Sequence, residues 1–113
     1  MPPVPDQAGL KQMLGEIRIH SARLWVLRLL EPMPGRRGND DFMHSGLDRI
    51  GLPLAHAELV TQLHFLAEKG LIQLDYVDDF TFKVWAIELT RTGQEVVAGL
   101  VEVDGIERLP ASL

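Results

Sequence analysis

The side chains in this sequence able to hold a metal or move a proton are few: four histidines, His20, His44, His56 and His64, and no cysteine. Without thiolates there is neither a disulfide framework nor a cysteine-based zinc site. His56 and His64 stand eight residues apart in one helical pattern, about 80° out of phase around its axis, so their imidazoles diverge. Neither a metal nor a cofactor is expected on that count. Asp75, Asp78 and Asp79 bring three carboxylates together, but without the loop glycine and closing bidentate Glu of an EF-hand. They read as a solvated hairpin turn. Ser21, Ser45 and Ser112 lie in no nucleophile-elbow context, and no glycine-rich phosphate loop occurs. No catalytic residue and no enzyme are expected. The histidines leave open a weaker option, a small-ligand or pH sensor.

A second chemistry has more residues behind it. Arg36, Arg37, Lys83 and, less directly, Arg49 are cations placed to meet phosphate, while His56, Thr61 and His64 carry groups that hydrogen-bond base edges. Val60 could pack on a thymine methyl, yet no arginine stands among these positions for a bidentate guanine contact. The balance of charge also weighs against DNA. Lys and Arg number 11 against 16 Asp and Glu, a net charge of −5, and non-specific DNA affinity comes mostly from phosphate neutralisation.

These side chains need elements to place them. At 113 residues, 46% of them hydrophobic, the chain has room and material for one domain with one core. Residues 1–9 carry three prolines and no apolar period, and read as a flexible tail. Leu10, Met13, Leu14, Ile17, Leu24, Leu27 and Leu30 recur at helical steps as far as Glu31; Gly15 and His20-Ser21 weaken the middle, which leaves one helix or two. Pro32, Pro34 and Gly35 end that element, and Arg36-Arg37 sit at the tip of the loop that follows. Asn39 caps a second helix, with Asp40-Asp41 at its positive end and Met43, Leu47 and Ile50 on its apolar face, as far as Gly51. After the tight connection Leu52-Pro53-Leu54, a third helix runs from about Ala55 to Lys69 on the stripe Leu59, Leu63, Leu66. Gly70 closes it.

The period then shifts to two. Residues 71–77 and 81–89 read as strands joined by a tight turn at Asp78-Asp79, and Thr90 or Thr92 caps a last helix with Val96, Val97 and Leu100 as its apolar positions. The expected architecture is mainly α with a small β-hairpin: a winged helix-turn-helix, with a three-helix core, a two-stranded wing and a C-terminal helix over residues 10–101. Residues 102–113 form a C-terminal tail. In such a fold the third helix enters the major groove and the second helix and wing touch phosphate. That places His56, Ala57, Val60, Thr61 and His64 on the reading face, and an acidic wing against the phosphates it would have to approach.

Several stretches taken together carry a resemblance: Leu24-Trp25-Val26-Leu27-Arg28-Leu29-Leu30-Glu31 running into Pro-x-Gly, Leu63-His64-Phe65-Leu66-Ala67-Glu68-Lys69-Gly70-Leu71-Ile72, Leu89-Thr90-Arg91-Thr92-Gly93-Gln94-Glu95-Val96-Val97-Ala98-Gly99, and Gly105-Ile106-Glu107-Arg108. Over residues 20–112 the chain resembles a family of small Mu-like phage and prophage proteins, winged-helix domains akin to the ArsR and MarR regulators. The resemblance implies a DNA-binding transcriptional regulator or a DNA-packaging accessory. The chain departs from the family pattern at Val60, where members often carry Arg, and at Phe65, where Trp is common. The alternative is a protein-interaction module that kept the fold and lost the DNA surface, its partner a phage or host protein.

Related regulators pair through flanking helices, so the resemblance also implies a homodimer. Six of the seven residues Leu24–Leu30 are apolar, more than one core-facing stripe needs. Leu24, Leu27 and Leu30 serve the core, leaving Trp25, Val26 and Leu29 for an interface unless helix four or the tail residues Val103, Ile106 and Leu109 hide them. The N-terminus Met1-Pro2-Pro3-Val4-Pro5-Asp6 lacks the basic start and apolar run of a signal peptide. Leu24–Leu30, interrupted by Arg28, falls far short of the ~20 residues of a membrane helix. A cytoplasmic protein is expected.

Overall fold

Asp6 accepts a hydrogen bond from the Gly9 backbone N–H and starts helix α1, Gln7–Leu30. The computed structural model describes residues 6–108. α1 is one continuous helix of 24 residues, begun three positions before the expected Leu10 and unbroken at His20-Ser21. Neither Gly15 nor this pair removes a backbone donor as proline would, and the packed half after His20 holds the axis in line. A single turn of tighter helix, Pro34–Arg36, follows.

The next three residues add a strand to the expected two-stranded wing. Arg37–Asn39 form a strand, β1, which pairs antiparallel with β3 (Lys83–Leu89) in the register Arg37↔Glu88, Gly38↔Ile87 and Asn39↔Ala86. On its other edge β3 pairs with β2, Ile72–Asp78, from Ile72↔Leu89 to Asp78↔Lys83. The sheet order is β1-β3-β2. β1 has no apolar alternation of its own; it is a strand because β3 offers it an open edge. The hairpin turn is also longer than two residues. It spans Asp79 to Phe82, closed by a 2.9 Å bond from the Asp79 N–H to the Phe82 carbonyl.

Asn39 caps α2 (Asp40–Arg49) by accepting from the Phe42 N–H, as its place in the sequence requires. α3 runs His56–Glu68, where Glu58 reaches back to the Ala55 N–H. The chain leaves α3 through Gly70 at φ +73°, a left-handed conformation that suits glycine. Of the two threonines offered as caps for α4 (Arg91–Val97), Thr90 takes the role: its hydroxyl accepts from the Gly93 N–H and donates to the Gly70 carbonyl. α4 stops before Leu100, which is exposed, and Ile50 at the end of α2 is exposed too.

The expected stripe of α3 is core. Leu59, Leu63 and Leu66 of α3 are buried with Leu27 of α1, Leu47 of α2 and Leu89 of β3. Val26 is fully buried among them, which corrects its assignment to an interface: a side chain inside the core faces no partner. Trp25 and Leu29 are half-buried and pack on the same cluster. Residues 101–108 form no loose tail. Ile106 is buried, Val101 and Val103 lie against the core, and the Glu107 N–H donates to the His20 carbonyl. Leu109 lies outside the described residues.

The first half of α1 projects beyond this unit. Leu10, Met13, Leu14 and Ile17, at helical steps of three and four, are 37–55% exposed. The projection accounts for a long dimension of 57 Å against 30 and 25 Å. No described helix is long and apolar enough to cross a membrane.

Candidate nucleic-acid interface

α3 turns Leu59, Gln62, Leu63 and Leu66 inward. By the 100° step of a helix, that leaves His56, Ala57, Thr61 and His64 exposed on the opposite face, with Val60 half-buried beside them. The expected reading face therefore exists as a surface. Its polar groups are partly engaged. The Thr61 hydroxyl donates to the Ala57 carbonyl at 3.1 Å, and His64 Nδ1 lies 2.8 Å from the Val60 carbonyl, an arrangement that leaves Nε2 pointing away from its own helix. The His64 ring also meets Trp85 of β3 edge-on, 4.8 Å between centroids, and Trp85 in turn lies 5.0 Å from Tyr76 of β2. This aromatic row ties α3 to the wing.

His56 is held differently. Its Nε2 is 2.7 Å from Oδ2 of Asp40, and Oδ1 of the same carboxylate accepts from the Trp85 N–H at 2.9 Å. Asp40 is buried, so one carboxylate joins the first turn of α2, the first residue of α3 and the central strand. Read from sequence, Asp40 was only a helix-dipole residue. Nothing in the local pattern marks it for burial, because its partners lie 16 and 45 positions away.

The cations are dispersed. Arg36 is exposed, with φ +53° at the end of the tight turn. Arg37 is exposed on β1, but its Nε sits 2.7 Å from Glu88 Oε1, the cross-strand partner. Lys83 is exposed at the start of β3 opposite Asp78, and Arg49 is exposed at the end of α2. Asp75, Asp78 and Asp79 are exposed around the wing. Phe80 projects fully from its tip, with Phe82 and Tyr76 about half-exposed below. Tyr76 and Phe82 fall in the stretches expected as strands, where alternation cannot tell a buried face from a bare one, and Phe80 falls between those stretches.

Arg23 was overlooked as well. Its Nε donates to Gln62 of α3 and its Nη1 to the Gly105 carbonyl, both at 2.8 Å, while the guanidinium lies 3.7 Å over the Phe65 ring. Burial pushes its pKa below the usual arginine value, since desolvation disfavours the charged form. Its role is to fasten the C-terminal segment, together with the 2.6 Å bond from Ser21 to Glu107.

No family model and no curated protein matches this chain. Among solved structures it is similar to the crystal structure of a PadR family transcriptional regulator from Eggerthella lenta DSM 2243. The TM-score is 0.62 at 18% sequence identity, over 79% of this chain and 76% of that one. The resemblance to Mu-like phage proteins thus stays with the sequence motifs. What the structural likeness establishes, with the helix order and the wing described above, is that this chain has the winged-helix fold.

Proposed function

We propose that this protein is a DNA-binding transcriptional regulator that acts as a homodimer, without catalytic activity. The observation that carries the reading is the outward face of α3, where Ala57, Thr61 and His64 stand exposed on a helix whose other side is the core. In winged helices that surface meets the major groove. His64 Nε2 and Thr61 would read base edges, Arg36 and Arg37 would hold phosphate beside α2, and Lys83 would do so from the wing. His56 would read bases only by giving up Asp40. The likeness in fold to a PadR family transcriptional regulator points the same way. An origin in phage or prophage, with DNA packaging as the other role, rests on the sequence motifs.

The test is duplex binding at two salt concentrations. Binding to random duplex at ~50 mM salt should weaken steeply by 200 mM, since each phosphate contact releases counterions. Arg36→Ala with Arg37→Ala should lower affinity alike for every sequence and flatten the salt slope. Flat titrations at ~50 mM salt end this reading.

The dimer is proposed on the bare stripe Leu10, Met13, Leu14 and Ile17, continued by the half-buried Trp25 and Leu29 on the same helix. Four large apolar side chains aligned on one helical face are costly to leave in water. Leu14→Glu is the suitable variant because Leu14 supports no core contact. At ~100 μM, above most specific dissociation constants, the wild type should sediment as a dimer and Leu14→Glu as a monomer. A monomeric wild type at that concentration refutes the pairing.

A second reading is favoured by the wing tip. Carboxylates at Asp75, Asp78 and Asp79 repel phosphate, while the bare Phe80 and Phe82 among them suit a basic protein surface with an apolar pocket. A chain that fails the duplex test would belong to this class.

A further inference from the structure

Folding brings together donors that the sequence leaves apart. The expectation of no metal compared His56 with His64, which do diverge; in three dimensions His56 instead meets His44 of α2, with ring centroids 6.1 Å apart. Asp40 and Asp41, the first two residues of α2, stand one helical turn before His44. The ligand atoms of Asp40, Asp41 and His56 all fall within 4.8 Å of one another. We propose that Asp40, Asp41 and His56, with His44 as fourth ligand, form a binding site for a divalent transition metal of the zinc class.

Three features separate this cluster from a solvated acidic patch. Asp40 is buried, and among the described residues no Lys or Arg pairs with it; the sole cationic partner of its carboxylate is His56, charged only if protonated. A buried carboxylate without a fixed counter-charge is costly, and a divalent ion would supply that charge. Two nitrogen and two oxygen donors form a set that suits zinc and its first-row neighbours better than calcium or magnesium, which take oxygen. The carboxylate is also already oriented: Oδ1 of Asp40 accepts from the Trp85 N–H, leaving Oδ2 toward His56. Metal ligands are commonly fixed by such outer hydrogen bonds.

The distances require adjustment, less within Asp40, Asp41 and His56 than at His44, which lies outside that close group. Donors about 2.1 Å from a tetrahedral ion lie about 3.4 Å apart. The 2.7 Å between Asp40 Oδ2 and His56 Nε2 must therefore open by under 1 Å, and exposed Asp41 must draw in. His44 must turn so that a ring nitrogen faces the ion. Binding takes the place of the Asp40–His56 hydrogen bond. If His56 is protonated, its Nε2 proton is released to solvent, because a ligating imidazole must be neutral there. The ion would then join the starts of α2 and α3. The site shares only His56 with the proposed DNA surface, and its test contains no DNA.

Untagged, full-length protein stripped with chelator should bind one Zn²⁺ per chain in calorimetry. At a hundredfold excess over the dissociation constant, the ratio of folded to unfolded protein should rise about a hundredfold, raising Tm by ~10 °C or more. Mg²⁺ should give no comparable shift. Co²⁺ should give the visible absorption of a four-coordinate nitrogen and oxygen site. Asp41→Asn and His44→Ala change side chains outside the core, and each should weaken Zn²⁺ binding tenfold or more. His20→Ala, away from the cluster, should leave it unchanged. Absence of 1:1 binding by the wild type overturns the proposal. So does binding that survives both Asp41→Asn and His44→Ala undiminished, or that is lost with His20→Ala.

Discussion

Leu63→Ala should lower unfolding stability by ~2–5 kcal/mol, the cost of removing a fully buried leucine and leaving part of its volume empty. Leu63 has no exposed surface and sits at the centre of the apolar stripe of α3, between Leu59 and Leu66, which are equally enclosed. α3 packs on α1, α2 and β2, so no single neighbour can close the gap alone. A domain of this size has only ~5–15 kcal/mol in total. The loss should appear as a fall in Tm of ~10 °C or more, or as a fall in denaturant midpoint with little change in slope. Leu63→Ala with wild-type stability would mean that α3 turns a different face inward.

Leu63 could be assigned to the core from spacing alone, and the reason explains which parts of the fold were legible. α2, α3, the hairpin and α4 each carry a full local signal: a cap at Asn39 or Thr90, a stop at Gly70, a period of 3.6 or 2 between them. These signals act over a few residues, and the sequence displays them directly. β1 and the docked segment 101–108 have no such signal. Arg37-Gly38-Asn39 become a strand through the edge of β3, about 50 positions later. Ile106 becomes core because Arg23 and His20 hold the chain beside it. Both are tertiary facts. The excess of apolar residues in Leu24–Leu30 was visible, but its division was not, since Val26 entered the core; the further stripe at Leu10–Ile17, equally visible in the spacing, is the one left bare.

The candidate site was legible to the same extent. Periodicity sufficed to put His56, Thr61 and His64 on the outward face of α3, because facing is a local property of a helix. What those side chains bond to is not. The hold of Asp40 on His56, the contact of His64 with Trp85 and the pairing of Arg37 with Glu88 all depend on how elements cross. A comparison of histidines along one helix therefore missed the neighbour of His56 on the preceding helix, His44.

Two glycines within helices should answer to alanine with opposite signs. Helix propensity alone favours alanine at both by ~0.5–1 kcal/mol, since glycine gives up more backbone freedom. At Gly15 an added Cβ meets nothing within 4 Å, so propensity acts unopposed and Gly15→Ala should stabilise the chain by about that amount. At Gly93 the same atom would collide with the Leu71 carbonyl oxygen and come within 2.6 Å of Leu89 Cδ1. Leu89 could swing away; the carbonyl cannot. It accepts from the Thr90 N–H at 3.1 Å, and the neighbouring Gly70 carbonyl accepts from the Thr90 hydroxyl that caps α4. Making room moves α4 off the start of β2 and loosens those bonds together. Overpacking of this kind costs ~1–3 kcal/mol, and the rigid partner places Gly93→Ala at or above the top of that range. The clash therefore outweighs the propensity gain, and Gly93→Ala should lower Tm by ~10 °C or more. Equal and positive shifts for both variants in parallel thermal melts would mean that α4 does not pack on Leu71 as described.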